Sequence, residues 1–422
     1  MSPIVRKILE KCSSDEVCMK MILHALYYNP DMTKNEMERL KHSLGTAVFT
    51  RGMNTPGGVR RASLLRRWIA QGLITEEDEA NHCFDAMVEQ KLINSHQVSG
   101  MGKVKSCAVH PLVDDLIKRQ CPTVEDLLLN NQLPIENLDL LYSIRNGMQL
   151  HPASSSITSF LNSMSSNSML LLRVLDLEGR NDLKLKDLGT ICKISKLKYL
   201  SLRNTNVAHL PKQIGQLENL ETLDIRGTHV LVFHRVLPKL KHLLAGRVTN
   251  SQERNITKSK ESFSTVGMPH AVETMEKLEI LSHVKVTDGA KELTNIGDKL
   301  EHLKKLGVVL SGKKASLKEL FIQIEKLNRC LRSLSIRMEP PGNWDAADVI
   351  LLKPPKLLES LHICSIRRGL PPRIKELHDL AKITLRDTFL KQDGLCVLSR
   401  VLLLLLLEYF CKCYRSLLIK GL

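Results

Sequence analysis

Aromatic residues are scarce in this sequence: two Trp, six Tyr and eight Phe are scattered through 422 residues. That scarcity argues against a sheet that stacks single-stranded bases, which needs aromatic platforms. No CxxC pair occurs among the eleven cysteines, an odd number at irregular spacing, so the chain reads as reduced, intracellular and cytoplasmic. HExxH, GxSxG, paired catalytic carboxylates and any Cys/His constellation at useful spacing are missing, so neither catalytic nor metal-ligating residues are expected and the chain reads as a non-enzyme. A long apolar run is missing too. The stretch 401–407 (VLLLLLL) is closed by Arg400 and Glu408, far short of the about 20 residues a membrane helix needs, and it reads as a buried C-terminal helix. The N-terminus lacks the basic-then-apolar order of a secretory signal.

What the sequence does have is length, charge and leucine. Lys and Arg number 61 against 45 Asp and Glu, a net charge of +16, with 43% hydrophobic residues. Such a composition describes a folded chain of two or three domains rather than a disordered one. In the second half LxxLxL segments recur: LLRVLDLEG, LKYLSLRNT, LETLDIRGT, LKKLGVVLS, LRSLSIRME, LESLHICSI and LAKITLRDT. Their middle residues, Leu175, Leu200 and Leu223, then Leu306, Leu334, Leu361 and Ile383, are spaced within the roughly 20 to 29 residues of leucine-rich repeats. Weaker copies at 240–244 (LKHLL) and 278–284 (LEILSHV) flank a polar insertion, 246–270.

Alternation within each short strand sends Leu200 and Leu202, or Leu223 and Ile225, into the core. Ser201 and Arg203, or Asp224 and Arg226, then face outward. No repeat can bury its apolar face alone, so the units stack into a parallel β ladder with an extended concave surface suited to a macromolecular partner. The outward face predicts a partner-binding set of Glu178, Ser201, Arg203, Asp224, Arg226, Ser335, Arg337 and Arg386. An arginine-rich register suggests an acidic partner; the competing reading is that Asp176, Asp224 and Asp387 neutralise it locally.

The N-terminal half reads as helices to about residue 44, then a Gly-, Pro- and Arg-containing break. SLLRRWIAQGLI is an amphipathic helix with Ser63 as its cap and with Trp68, Ile69 and Leu73 as core positions. A second helix begins after Thr75-Glu76, with acids at its positive end. A polar hairpin and the strand CAV follow, completing a winged helix. Arg66 and Arg67 raise the possibility of DNA, but the polar base-reading residues of a groove-facing helix are missing.

In this order the residues resemble the plant nucleotide-binding leucine-rich-repeat immune receptors of the coiled-coil type. LLRRWIAQGLI is similar to the family's RWIAEG helix, GKVKSCAVHPLVDDLI to its GKVKSCRVHDxxxDLI segment, and LLRVLDLEG, LKYLSLRNT, LPKQIGQLENLETLDIRGT and RSLSIR to its repeats, over most of residues 20 to 395. The resemblance implies an ATPase-like domain before the winged helix, with ADP holding the receptor off and ATP allowing assembly. This sequence departs from that pattern. It has no G-x-x-x-x-G-K-[ST]; the nearest string, Gly307 to Lys314, ends in Lys where a hydroxyl is required and reads as a repeat strand. His110, which the resemblance makes a vestigial nucleotide contact, is followed by Pro111 instead of Asp. Both ends of the homologous region read as truncated, and no cofactor is expected for this chain.

The organisation expected is therefore mixed α and β: 1–62 helical remnant and linker, 63–120 winged helix, 121–168 Ser-rich connection, 169–395 leucine-rich repeats forming a horseshoe solenoid, and 396–422 an atypical apolar tail. The expected function is non-catalytic plant defence. Its partner is a protein or pathogen effector at the repeat surface, or another immune receptor. The alternatives are a fragment of an ADP/ATP-switched receptor, or a basic binder of nucleic acid or membrane surfaces, against which the absent groove-reading residues and membrane span both argue.

Overall fold

Which residues of the amphipathic stretch meet a core is settled by the computed structural model, which describes residues 58–89, 93–99, 102–109, 157–163, 172–233, 235–246, 265–314, 317–342, 355–366, 376–386 and 407–410. The chain divides into two units, Met1–Gln149 and Leu150–Leu422. The helices expected before residue 44 lie outside the described residues.

In the first unit, strand β1 (Val59–Arg60) leads directly into helix α1 (Arg61–Gln71), followed by α2 (Glu77–Glu89) and the hairpin β2 (Ile93–Val98) and β3 (Val104–Val109). The sheet order is β1-β3-β2, antiparallel throughout. Leu65, Ala80, Phe84, Ile93 and Cys107 form its small core, with Trp68 and Ile69 packed against it. Two details correct the sequence reading. Ser63 is not the cap; it is buried inside α1, whose N-cap position is Arg60 with no side-chain cap bond. The helix starts earlier because Arg61 is anchored to α2, with Nη2 donating to Asp85 Oδ2 at 2.8 Å and to Asn81 Oδ1 at 2.8 Å. Leu73 is 50% exposed rather than core. Gly72, in the left-handed region at φ 81°, ends the helix one residue before it.

The second unit is a parallel ladder built from the repeats. Its strands are β4 (Val174–Asp176), β5 (Tyr199–Ser201), β6 (Thr222–Asp224), β7 (His242–Leu244), β9 (Ile280–Asp288), β10 (Lys305–Lys314), β11 (Ser333–Gly342), β12 (Ser360–Ile366), β13 (Lys382–Arg386) and β14 (Leu407–Phe410), paired in that order, while the short β8 (Val266–Gly267) pairs beside β9. Register places Leu175, Leu200, Leu223, Leu243, Leu281, Leu306, Leu334, Leu361 and Ile383 in one row across neighbouring strands. None of them is more than 5% exposed. The other two leucines of each LxxLxL make parallel rows on either side, such as Leu197, Leu220 and Leu303 before the strand and Leu202, Ile225 and Ile336 after it, all buried. Burying one such side chain contributes about 1.5 to 3 kcal/mol, realised only because a neighbouring repeat covers it.

β7 pairs directly with β9, and β8, within the stretch read as the insertion, pairs in parallel beside β9; residues 247–264 lie outside the described residues. At the opposite end of the unit, helix α3 (Ile157–Ser163), within the stretch read as a Ser-rich connection, buries Ile157 and Leu161 in the repeat core. It is tied down by Ile157 N donating to Asp182 Oδ2 at 3.1 Å and Thr158 Oγ1 donating to Asp187 Oδ1 at 2.9 Å. This is the end cover that a stacked array requires. At the far end the expected C-terminal helix does not extend over Leu407. That residue opens β14, which pairs in parallel with β13.

Candidate functional site

Counted from the residue before the leucine row, the first, third and fifth positions of β4 to β7 and β10 to β13 lie on the face opposite that row, the fifth falling just past the three-residue strands. The third row runs Asp176, Ser201, Asp224, Leu244, Ser282, and then Ser335, His362 and Thr384. The fifth carries Glu178, Arg203 and Arg226 at one end and Lys285, Val309, Arg337, Cys364 and Arg386 at the other.

The structure divides the sequence-predicted set. Glu178, Arg203, Arg226, Ser335, Arg337 and Arg386 reach solvent at least in part. Ser201 and Asp224 face outward but are only 1% exposed, so they offer no contact surface. The reason is crowding: strands about 4.8 Å apart let a long side chain cover a short one beside it. Arg226 folds back over its own strand, with Nε donating to Asp224 Oδ1 at 2.8 Å and its terminal nitrogen paired with Oδ2. Local neutralisation is thus the rule for these arginines, with different acids from those expected at two of three places: Arg203 pairs with Glu178 at 3.1 Å and Arg337 with Glu339 at 3.1 Å. These pairs are part-buried, with Asp224 itself buried, so each holds its arginine in a fixed position over the face.

At the centre of the face lies a feature the sequence reading missed. β9 bulges at Ser282 and His283, so two residues face outward where other strands have one, and pairing to β10 skips between Leu306 and Val308. His283 adopts φ 56°, a conformation that costs a non-glycine residue about 1 to 2 kcal/mol. Glycines make room for it on both sides. A Cβ on Gly246 would stand 2.6 Å from the His283 Cβ, and one on Gly307 would stand 2.8 Å from the His283 nitrogen. Burial, then the nearby Lys305, His362, Arg226 and Arg337, hold the His283 imidazole down to about 4. It is neutral at physiological pH, with Nδ1 2.7 Å from Ser282 Oγ. The available signal was LEILSHV itself, where Val284 arrives one residue late for LxxLxL.

A second missed feature is a charged rim at the residue before β5 to β7 and β9 to β12. Lys198 and Lys241 flank Glu221 at 2.9 and 3.2 Å, Lys304 meets Glu279 at 2.6 Å, and Arg332 meets Glu359 at 2.6 Å. Burial opposes ionisation of Glu221, but its two lysines outweigh it and hold the carboxyl below its usual range. These positions also carry the first inter-repeat backbone bonds, such as Glu221 N donating to Lys198 O at 2.8 Å.

His110 lies outside the described residues. The Gly307–Lys314 string is confirmed as part of a paired strand, with Val308, Val309 and Leu310 buried. Its backbone is committed to β9 and β11, so it does not fit a phosphate cradle. Arg67, half of the pair that raised the DNA possibility, is 1% exposed and so offers no charge to a groove. Among the described residues no group of three His, Cys, Asp or Glu could hold a metal ion, and no helix is long and apolar enough to cross a membrane.

Comparison with known proteins agrees with this architecture. Residues 152–420 match the family described as a leucine-rich repeat region, and residues 58–117 match the disease resistance protein winged helix domain. Disease resistance protein PIK6-NP of Oryza sativa subsp. japonica is 28% identical over 404 residues, covering 84% of this chain and 38% of that protein. Disease resistance protein Pik-2 of the same organism is 26% identical over 404 residues, covering 83% and 39%. Disease resistance protein RGA4, also from rice, is 25% identical over 387 residues, covering 82% and 36%. The chain therefore spans 36% to 39% of the length of these relatives.

Proposed function

Because this chain belongs to the plant leucine-rich-repeat disease resistance proteins, we propose that it is a non-catalytic, immune-receptor-like defence protein whose outward ladder face recognises a protein partner in the cytoplasm. The observation that carries this reading is the face itself: partly exposed polar side chains, among them Glu178, Arg203, Arg226, Ser335, Arg337 and Arg386, held at fixed spacing on a buried leucine lattice. Ten strands about 4.8 Å apart and five residues deep at about 3.3 Å give roughly 600 to 700 Å². A standard interface takes about 800 Å² per partner, so the face is of the right size for one protein contact. A pathogen effector or another immune receptor is the expected partner.

Nucleotide turnover is not assigned to this chain, since among the described residues the Gly307–Lys314 string is a paired strand and supplies no phosphate cradle. Micromolar ADP binding by the purified chain would overturn that part of the reading. The recognition part is tested by capturing partners with the wild-type chain and with Arg203→Glu, which leaves the Arg226 cover over Asp224 intact, and with Arg337→Glu. Loss of the same partner in both variants at unchanged melting temperature is expected. A partner set indifferent to both would sink the idea.

A further inference from the structure

The geometry points to the bulge on β9 as the anchor point for an acidic side chain: a carboxylate of the partner seats against His283, within a basic locus formed by Lys305, Arg337 and His362. The inference rests on the ladder face being a recognition surface and specifies what it recognises.

Three observations converge. The outward positions of β9 to β13 carry Lys285, Lys305, Arg337, Lys382 and Arg386 against Glu339 as the one acid among those described. The outward positions of β4 to β6 mix Asp176, Glu178 and Asp224 with Arg203 and Arg226. The face therefore carries its positive excess in one half, and a partner that is acidic at one point gains orientation as well as attraction. Within that half the strained backbone of His283 is held by flanking Gly246 and Gly307; strain preserved by its surroundings is a pointer to function. Finally, Ser282 Oγ lies 2.7 Å from His283 Nδ1, and Ser335 Oγ lies 3.5 Å from His362 Nδ1. Neutral hydroxyls thus orient two imidazoles in a locus that also holds the exposed Lys305 ammonium and the Arg337 guanidinium, whose Nε is paired with Glu339. Charge-assisted bonds from such groups to a carboxylate are about twice as strong as neutral ones.

The test uses the full chain and fluorescein-labelled hexaglutamate, with hexaglutamine, inorganic phosphate and a short single-stranded RNA as comparison probes, at near-physiological salt. Hexaglutamate is expected to bind, with at least a tenfold weaker Kd in His283→Gly and a several-fold weaker Kd in Lys305→Gln. His283→Gly removes the unfavourable φ but also a largely buried side chain, so its melting temperature should change little, and a Kd loss at unchanged melting temperature separates a binding role from a structural one. Lys305 is exposed, so its substitution keeps the test decisive if the histidine variant misfolds. Unchanged hexaglutamate affinity in both variants, no hexaglutamate binding, or equal binding of RNA or phosphate would overturn the inference. Partner capture that still depends on Arg203 and Arg337 would then leave the recognition reading standing, so the two failures are distinguishable.

Discussion

The first four ladder strands and the next three differ in one residue, and that residue sets their length. β4 to β7 are three residues each, whereas β9, β10 and β11 run nine or ten. In the short set the outward Glu178, Arg203 and Arg226 are followed by Gly179, Asn204 and Gly227, all at positive φ, while β7 takes its positive φ one position earlier, at Gly246, in register with Arg226. The left-handed corner turns the chain out of the sheet, and its N–H still bonds the next repeat, as when Asn204 N donates to Arg226 O at 2.8 Å. In the long set Val286, Leu310 and Met338 occupy the corner position, and the strand continues through them. The short half is built for close, regular stacking; the long half gives a broader face, and it is the half that holds the bulge and the positive excess.

If the two halves are separable in the way stacked repeats allow, the largest effect should come from emptying a leucine row within one of them. Leu200 and Leu306 are 0% and 1% exposed, so Leu200→Ala and Leu306→Ala should each cost about 2 to 5 kcal/mol. Hydrogen exchange should show protection lost around β4 to β6 in the first variant and around β9 to β11 in the second. Loss of protection spread equally over both halves in either variant would make the ladder one cooperative block and remove the distinction.

A smaller break aims at the corner. In Gly227→Ala the new Cβ would overlap Asn204 Oδ1, at a residue with φ 75°. The expected cost is about 2 kcal/mol, the strain of a left-handed alanine plus displacement of Asn204. Denaturant unfolding measures it, and a loss under about 0.5 kcal/mol would show that the corner does not set strand length.

The rim before the strands offers a pH-dependent contrast. Glu221 has a lowered folded-state pKa, so its ion pairs stabilise fully above the unfolded carboxylate range and lose that effect as pH falls through the folded value. Glu221→Gln should cost about 1 kcal/mol near pH 7, with wild type and variant converging below about pH 4. A difference that stays constant from pH 7 to pH 3 would mean that the pairs are not what the substitution removed.

The leucine lattice is legible because LxxLxL encodes all three inward rows in local spacing, so spacing alone aligns Leu175 to Ile383 in the register the strands adopt. Burial of Ser201 and Asp224 is not, because it depends on which neighbour folds over them, and a guanidinium's resting place is decided across strands. The bulge at His283 lay between these cases. Its late Val284 was readable, but the strained backbone follows from the flanking Gly246 and Gly307, which come from other repeats. The winged helix was recognisable by element order and mistaken at its edges, where Arg61 and Gly72 set the limits of α1 through contacts and backbone geometry rather than through cap chemistry at Ser63.

Ser365 supplies the finest test of the comparison. β12 ends its regular pairing with β11 at Cys364, and the following Ser365 occupies the corner position at φ 62°, where the short half has glycine or asparagine. It is buried, with its hydroxyl 3.5 Å from the Cys364 sulfur, a weak contact that repays little of the backbone cost. Replacing it with glycine removes about 1 kcal/mol of left-handed strain but gives up a small buried side chain and raises unfolded-chain entropy. The net expectation for Ser365→Gly is a gain of up to about 0.5 kcal/mol, seen as a slightly higher denaturation midpoint at unchanged slope. A clear loss would mean that the serine holds the corner by its side chain, and that β12 belongs with the long strands rather than with the glycine-cornered ones.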